Sequence, residues 1–118
     1  MKTVLIVEDE AVNAIFMKNF FLKSGFEVFD PVKTGEEAIR MADENTVDLI
    51  IMDIQLIGEI DGITAMQKIL EYKTIPHIYC SAYNQKDIIE RANTTSPIAY
   101  LTKPVDVTLL KALVKGYF

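Results

Sequence analysis

The apolar residues of the chain are concentrated in short blocks, and each block gives way to polar residues at its end. A run of four or more apolar residues bounded in this way is typical of a strand buried on both faces of a parallel sheet. We predict such strands at residues 2–7, 48–52, 76–80 and 98–101. Residues 26–29 alternate between apolar and polar positions, which predicts a more exposed strand near an edge of the sheet.

The segments between these strands carry apolar residues at helical spacing. Gly25 is a residue type that commonly ends a helix. Thr34 and Glu37 have the spacing of a capping box, and Asp61 is a typical N-cap residue. We therefore predict five helices, at residues 12–24, 34–45, 61–73, 84–95 and 107–117. The helix side chains expected to face the core are Ile15, Phe16, Phe20, Leu22, Ile63, Met66, Ile69, Leu70, Ile88, Ile89, Ala92, Leu109, Leu110, Leu113 and Val114.

Strands and helices that alternate along a chain build βα units, whose strands pair in parallel through right-handed crossovers. The predicted fold is therefore α/β, a doubly wound five-stranded parallel sheet with helices on both faces. The common strand order for five strands is 2-1-3-4-5, which sets the carboxyl ends of the first and third strands side by side. In that order Glu8, Asp9 and Asp53 converge in one crevice, with Ser81 beside them and Lys103 reaching across from the fifth strand.

Composition narrows the function classes. Half of the 118 residues are hydrophobic and the net charge is -5, as in an ordinary soluble domain, and this acidity disfavours binding to nucleic acid or anionic lipid. No apolar run approaches the ~18 residues of a membrane span, and the lone Cys80 lies in an apolar block typical of burial rather than reactivity. We expect a single cytoplasmic domain over residues 1–118, without an output domain because the fifth predicted helix reaches the last residues.

Carboxylates gathered at one edge of a sheet need a counter-charge. Two like charges about 4 Å apart repel by roughly 4 kcal/mol at an effective dielectric constant of ~20, and Lys103 supplies only one positive charge. A ligand set made of oxygens, with one or two direct carboxylates, suits Mg²⁺ better than zinc. A magnesium ion beside a carboxylate, a hydroxyl and an ammonium group is typical of phosphoryl transfer, and Asp53 is central enough among the acids to be the predicted nucleophile.

Four short motifs occur in order along the chain at the predicted strand ends: Val-Glu-Asp-Glu at residues 7–10, Met-Asp-Ile at 52–54, Cys-Ser-Ala at 80–82 and Tyr-Leu-Thr-Lys-Pro at 100–104. With these motifs the chain resembles, over residues 4–114, the receiver domain of bacterial and archaeal two-component response regulators. The resemblance implies a flavodoxin-like fold and a signalling switch whose phosphoacceptor takes its phosphoryl group from the phosphohistidine of a sensor histidine kinase.

The resemblance also implies a role for each residue of the acidic crevice. Asp53 is the phosphoacceptor; Asp9 and Asp53 bind Mg²⁺ directly, Glu8 binds it through water, and the backbone carbonyl of Gln55 completes the protein's share of ligands. Ser81 donates a hydrogen bond to the phosphoryl group. These expectations describe a regulator that catalyses only its own phosphorylation and slow dephosphorylation.

In the family a serine and an aromatic residue form the switch, and the matching pair here is Ser81 and Tyr100. Lys103 pairs with the phosphoryl group, and its peptide bond to Pro104 is expected to be cis. The change reaches the face made by the fourth helix, the fifth strand and the fifth helix, which binds a downstream protein. The expected upstream partner is a sensor histidine kinase or a phosphotransfer protein, and dimerisation through the fourth and fifth helices stays open.

Several residues also have plainer interpretations. Ser81 fits a turn or a helix cap, Glu8 and Asp9 fit the start of the first helix, Tyr100 fits the core, and His77 has no second ligand and is interpreted as structural. The segment between Asp53 and the Asp-Gly turn at residues 61–62 is one residue longer than is usual in the family, and the effect of this longer loop is open.

Three rival functions remain at this stage. A nucleotide or flavin site on the same fold needs a first turn that cradles phosphate, and the acidic turn at residues 8–10 repels it. A phosphatase with an aspartyl nucleophile needs a second acid two residues later, where the chain has Gln55. A receiver domain that no longer accepts phosphate and serves only as a docking module is disfavoured. The chain has the acids, the hydroxyl and the lysine at every position of the set that phosphorylation requires.

Overall fold

The computed structural model describes residues 1–118, in which five strands alternate with five helices. In chain order the elements are β1 (Thr3–Val7), α1 (Ala11–Lys23), β2 (Glu27–Val28), α2 (Gly35–Glu44), β3 (Leu49–Met52), α3 (Gly62–Leu70), β4 (His77–Ser81), α4 (Lys86–Asn93), β5 (Ala99–Thr102) and α5 (Val107–Tyr117). All strand pairs are parallel and the sheet order is β2-β1-β3-β4-β5, so the predicted fold and strand order are confirmed. No helix combines the length and the hydrophobicity needed to cross a bilayer.

The sheet separates two hydrophobic cores. Successive residues of a strand point to opposite faces, so Val4 and Ile6 of β1 enter one core while Leu5 and Val7 enter the other. The first core lies under α1 and α5, and the second lies under α2, α3 and α4. Because both faces of the sheet are covered, β1, β3 and β4 consist mostly of apolar residues, which form the apolar blocks of the sequence.

The local signals that start and stop the helices behave largely as predicted. The Thr34 hydroxyl accepts a hydrogen bond from the Glu37 N–H at 3.1 Å, and the Asp61 carboxylate accepts one from the Thr64 N–H at 2.8 Å. Gly25 has φ +90°, a left-handed conformation that favours glycine after a helix. The capping box differs in one bond, because the Glu37 carboxylate accepts from the Thr34 hydroxyl rather than from its backbone.

Two predictions about helix faces were wrong. Ile15, Phe16 and Leu22 of α1 are 60%, 49% and 48% exposed, whereas the residues that α1 buries are Ala14, Met17 and Phe21. Leu109 of α5 is likewise 46% exposed. Helix α1 has apolar residues on every side, so its sequence does not show which side faces the core. The neighbouring strands decide which side is covered.

Smaller differences concern element lengths. The edge strand β2 has two paired residues instead of the predicted four, and α4 spans Lys86–Asn93 instead of 84–95. Strand β2 lies at the edge of the sheet and pairs with β1 only, so few of its residues form backbone hydrogen bonds with another strand.

Candidate functional site

The acidic crevice is formed by the ends of β1 and β3. Glu8 and Asp9 follow β1, and Asp53 follows β3; Val7 and Met52 are register partners, and the Asp53 N–H donates to the Val7 carbonyl at 3.0 Å. Carboxylate oxygens of Glu8, Asp9 and Asp53 lie within 4.8 Å of one another. The parallel pairing of β1 with β3 is therefore what gathers acids that are 44 residues apart in the chain (53 - 9).

Lys103 neutralises part of this charge. It follows β5, and its Nζ donates to Glu8 Oε2 at 2.8 Å and to Asp53 Oδ2 at 3.0 Å. The side chains of Glu8 and Asp53 are 6% exposed and that of Lys103 is 18% exposed, so the ion pairs are largely shielded from water. One ammonium group therefore lies between two buried carboxylates, with Asp9 as a third acid at the edge of the cluster.

The protonation equilibria of the cluster follow from this burial. Desolvation raises the pKa of Glu8, the nearby Asp53 charge adds to the effect, and the hydrogen bond from Lys103 opposes it. For Lys103 burial alone would lower the pKa, but the hydrogen bonds to Glu8 and Asp53 outweigh it and raise the pKa above its ordinary value. The lysine is therefore held in its charged form, and the crevice retains excess negative charge.

The donor set of the crevice fits a hard divalent cation. Every ligand atom available from Glu8, Asp9 and Asp53 is an oxygen, and the neighbouring Gln55 carbonyl accepts no backbone hydrogen bond that would compete for its lone pairs. Oxygen ligands with one or two carboxylates match Mg²⁺, which retains several waters of its own. The residues are thus suited in type, spacing and charge to hold this ion.

Ser81 and Asp53 line the same small cavity. This cavity of about 220 Å³ is also lined by Asp9, Gln55 and Lys103. Ser81 is the last residue of β4 and is 1% exposed, and its hydroxyl accepts a hydrogen bond from the Tyr83 N–H at 3.1 Å. The structure thus places the acids, the hydroxyl and the ammonium group around one space, while Ser81 also has the turn geometry of its plainer interpretation.

Tyr100 connects the middle of β5 to the loop that follows β4. Its hydroxyl donates to the Tyr83 carbonyl at 2.7 Å, its ring is half-buried, and burial raises the pKa of its phenol. The two residues of the expected switch pair thus both bond to Tyr83, Ser81 at its N–H and Tyr100 at its carbonyl. The Lys103–Pro104 peptide bond is cis, as expected.

Gly62 is a site residue that the sequence analysis missed. A Cβ built on Gly62 would lie 1.9 Å from the Asp53 carbonyl oxygen and 2.8 Å from Met52 Cγ, so only glycine fits there. The Gly62 N–H also donates to the Ile54 carbonyl at 2.8 Å. The first residue of α3 thus packs directly on the backbone of the predicted nucleophile, and the Asp-Gly turn was the only signal of it.

Arg91 of α4 was also missed. Its Nη1 and Nη2 bind the two Asp61 carboxylate oxygens at 2.5 and 3.1 Å, and Nη2 also donates to the Thr64 hydroxyl at 2.7 Å. Burial would raise the pKa of Asp61, but the hydrogen bonds from Arg91 and Thr64 and the charge of Arg91 together outweigh it and lower that pKa. This pair, here termed the α3–α4 clasp, joins elements 30 residues apart, which no local pattern indicates.

The loop between Asp53 and Asp61, residues 54–60, is held against the start of α2. Ile57 forms a parallel bridge with Thr34, and the Glu59 N–H donates to the Glu36 carboxylate at 3.4 Å. Gly58 has φ +103°, which a residue with a side chain rarely adopts. Gly58 therefore forms a left-handed turn beside Glu36 of α2.

His77 has the structural place expected from its isolation. Its Nδ1 lies 3.0 Å from the Ile75 carbonyl and its Nε2 lies 2.9 Å from the Thr95 hydroxyl, which is also 2.8 Å from the Tyr79 hydroxyl. Burial lowers the pKa of His77 and raises that of Tyr79 to about 12. Cys80 is buried as expected, and burial raises the pKa of its thiol to about 12, which favours the protonated thiol at neutral pH.

Comparison with known proteins gives consistent matches. The family model of the response regulator receiver domain matches residues 4–115. The transcriptional regulatory protein PdtaR of Mycobacterium tuberculosis is 33% identical over 107 residues, which are 91% of this chain and 52% of PdtaR, so the chain spans about half the length of that relative. The chemotaxis protein CheY of Bacillus subtilis is 33% identical over 102 residues, 86% of this chain and 84% of CheY.

A solved structure supports the fold independently. The complex of CheX and CheY with BeF₃ and Mg²⁺ from Borrelia burgdorferi contains a chain that superposes with a TM-score of 0.90 at 25% identity. The superposition covers 99% of this chain and 89% of the other.

Proposed function

Because the chain belongs to the response regulator receiver domain family, we propose that it acts in two-component signalling as a phosphorylation-controlled switch in which Asp53 is the phosphoacceptor. The observation that carries the proposal is the buried Asp53 carboxylate, which lies beside Glu8 and Asp9 and is paired with Lys103 at the wall of an open cavity. Receiver domains are phosphoacceptor regulators, and the chain catalyses only its own phosphorylation and dephosphorylation in this proposal.

The chemistry follows from the groups around the cavity. A carboxylate oxygen of Asp53 attacks the phosphorus of a phosphohistidine, the P–N bond breaks, and an acyl phosphate forms while the imidazole leaves. The Lys103 ammonium group pairs with the phosphoryl oxygens, and the Ser81 hydroxyl donates a hydrogen bond to one of them. Both groups already line the same cavity as Asp53, so little reorganisation is required.

The excess negative charge of the crevice supports a magnesium requirement. In this proposal Asp9, Asp53 and the Gln55 carbonyl hold Mg²⁺ directly and Glu8 holds it through water. A bound magnesium ion supplies positive charge that neutralises the phosphoryl oxygens as charge develops on them. The complex of CheX and CheY from Borrelia burgdorferi, which contains a chain of this fold, also contains Mg²⁺ and BeF₃, and this supports the proposed magnesium ion here.

The switch is proposed to begin at Tyr83. The Ser81 hydroxyl accepts a hydrogen bond from the Tyr83 N–H, and this bond breaks when the hydroxyl turns to the phosphoryl group. The carbonyl of the same residue, Tyr83, accepts a hydrogen bond from the Tyr100 hydroxyl. A movement of this loop therefore changes the packing of Tyr100 and the face formed by α4, β5 and α5. Two arrangements of that face with different affinity for a downstream protein are sufficient for signalling.

An exposed apolar rim supports docking of a phosphodonor protein. Val12, Ile15 and Phe16 of α1 are 80%, 60% and 49% exposed, and Ile57, in the loop after β3, is 54% exposed. Phe16 and Ile57 each line a cavity that also contains Asp53. We assign this rim to a sensor histidine kinase or a phosphotransfer protein, and we place the interaction in the cytoplasm.

The proposal is tested by incubating the chain with Mg²⁺ and acetyl phosphate and measuring its intact mass. The parent is expected to gain one phosphoryl group, and Asp53→Asn is expected to gain none because it lacks the nucleophilic oxygen. Asp43→Asn, an exposed change of the same type, should be phosphorylated like the parent. Equal phosphorylation of the parent and Asp53→Asn would contradict the proposal, as would modification of the parent at the same rate with EDTA.

A further inference from the structure

A second groove lies between α1 and α5. It has a volume of about 730 Å³ and an apolar floor that includes Phe20, Phe26 and Phe118. Lys23, Lys111 and Lys115 also line it, and no acidic residue does. We call this feature the α1–α5 groove. Neither Asp53 nor any other residue of the acidic crevice lines it, so the proposed phosphorylation leaves its function unexplained.

The charge of the α1–α5 groove is opposite to that of the molecule. The chain has 17 acidic and 12 basic residues, yet the ionisable residues of the groove are all lysines. None of the three forms a salt bridge, although other lysines of the chain do. Lys2 adds a further positive charge, with its Nζ 5.8 Å from the centre of the Phe118 ring. The groove is therefore a local positive site in which no lysine is paired with an acid of the chain.

The helix dipoles explain the positions of only two of the three lysines. Lys23 and Lys115 lie in the last turns of α1 and α5, where a positive side chain is favourable. Lys111 lies in the middle of α5 and has no such role. The three half-buried or exposed aromatic rings beside these lysines are not accounted for by helix termini either.

The shape of the groove indicates what it can hold. Val107, Lys111, Val114, Lys115 and Phe118 recur at the spacing of one helical face, so the groove follows α5 along its length. The 11 residues of α5 extend over about 16 Å at ~1.5 Å per residue. A helix of roughly three turns covers this length. Lys111 and Lys115 are four residues apart and present adjacent charges to such a helix.

From this combination we propose that the α1–α5 groove binds an acidic amphipathic helix of a partner protein. Apolar side chains of the helix pack on the aromatic floor, while its Asp or Glu residues pair with the three lysines. A symmetric contact with a second copy of this chain is disfavoured, because the groove has lysines and no acid to pair with the lysines of the copy. Nucleic acid is disfavoured by the net charge of -5.

The probe is a synthetic helix of about 12 residues, three turns long, with leucines on one face and glutamates four residues apart beside them. Binding to the full chain is measured by fluorescence polarisation of the labelled peptide and located by amide NMR shifts. We expect binding that weakens as salt rises, with shifts at the amides of α5 and Phe118. Lys111→Glu with Lys115→Glu should weaken binding roughly tenfold or more, since each change replaces an attraction with a repulsion.

The matched control is Lys33→Glu with Lys68→Glu, which makes the same change of net charge at two exposed lysines outside the groove. It should bind the peptide nearly as the parent does. Equal weakening in both double variants would overturn the proposal, and so would equal binding of a peptide with lysines in place of the glutamates. Binding of phosphatidylglycerol vesicles through Lys111 and Lys115 without binding of the acidic peptide would also overturn it and assign the groove to a membrane surface.

Phosphorylation of the double groove variant is measured in parallel. Asp53 should accept phosphate from acetyl phosphate as in the parent, because Lys111 and Lys115 do not line the cavity that contains Asp53. Failure of peptide binding is therefore separable from failure of the proposed phosphorylation.

Discussion

At the scale of single residues, Lys103 forms the least exposed ion pairs of the chain. It donates to Glu8 and Asp53, and it is the only positive side chain bonded to the buried acids. The lysine therefore stabilises the fold before any phosphoryl group arrives. The same ammonium group is then available to the phosphoryl oxygens, which links the stability of the domain to its proposed chemistry.

We predict that Lys103→Met in the absence of Mg²⁺ lowers the free energy of unfolding by about 3 kcal/mol, since it leaves two buried carboxylates without a positive counter-charge. Added Mg²⁺ should restore part of this loss because it replaces the missing positive charge. Urea denaturation with EDTA and with Mg²⁺ measures both effects. Lys18→Met is the control: its Asp30 partner is 96% exposed, so it should lose less than about 1 kcal/mol. Similar losses in the two variants would contradict this account.

His77 gives the domain a predicted dependence on pH. The folded ring has a pKa below its ordinary value of 6.5 because it is buried, so near pH 6 the unfolded chain binds more protons than the folded one. The contribution of His77 to the free energy of unfolding should therefore fall as pH decreases below about 6.5, down to the folded pKa. Urea denaturation between about pH 7.5 and 5.5 measures this loss.

His77→Gln separates this contribution from that of the carboxylates. His77 is the only histidine of the chain, so the variant should show a smaller loss of stability over the same pH interval. An unchanged pH dependence in His77→Gln would contradict the assignment.

At the scale of elements, the start of α3 controls the position of Asp53. Gly62 allows the helix to begin against the Asp53 carbonyl, and Asp61 caps the same turn. The end of β3 and the start of α3 thus form one packed unit, although a seven-residue segment, 54–60, separates Asp53 from the Asp61 cap. A change in either element should displace the other.

Gly62→Ala is predicted to destabilise the domain by about 3 kcal/mol, because its Cβ would overlap the Asp53 backbone, an extreme case of overpacking. Gly116→Ala in α5 is the matched control. Nothing lies within 4 Å of an added Cβ there, and alanine favours a helix, so this variant should gain up to about 1 kcal/mol. Thermal unfolding of both variants tests the prediction, and a loss in Gly116→Ala equal to that in Gly62→Ala would contradict it.

At the scale of the whole molecule, α4 is attached to its surroundings by polar contacts at two places. The α3–α4 clasp binds Arg91 to Asp61, and Thr95 after the end of α4 joins His77 and Tyr79 of β4. Ala92 is the only residue of α4 that is fully buried. A helix with so little apolar contact can change its position at low cost once its polar contacts are exchanged, which is what the proposed switch requires.

We predict that Arg91→Met lowers the free energy of unfolding by about 1 kcal/mol, because the clasp is partly exposed to solvent. Amide hydrogen exchange in α4 should become faster than in the parent, while exchange in α1 should stay unchanged. Arg40→Met is the control, since Arg40 pairs with Glu44 within α2 and should alter α4 little. Unchanged exchange in α4 would contradict a restraining role of the clasp.

Most of the fold and much of the site could be predicted because they depend on local signals. Apolar blocks locate strands, capping residues locate helix ends, and an α/β alternation leaves few topologies. The strand order then places Glu8, Asp9 and Asp53 together without any knowledge of side-chain packing. Gly62 and Arg91 could not be found in this way. Each acts through a contact with a residue distant in the chain, and no sequence pattern indicates such a contact.

The sequence by itself determined the strand-helix order, the acids at the strand ends and the family to which these motifs belong. Only the tertiary structure decided which side of α1 is covered, which residue pairs with Asp61 and where lysines gather beside aromatic rings. The physical reason is that backbone propensity and hydrophobic period are properties of neighbouring residues, whereas packing, ion pairing and surface charge depend on residues brought together by the fold.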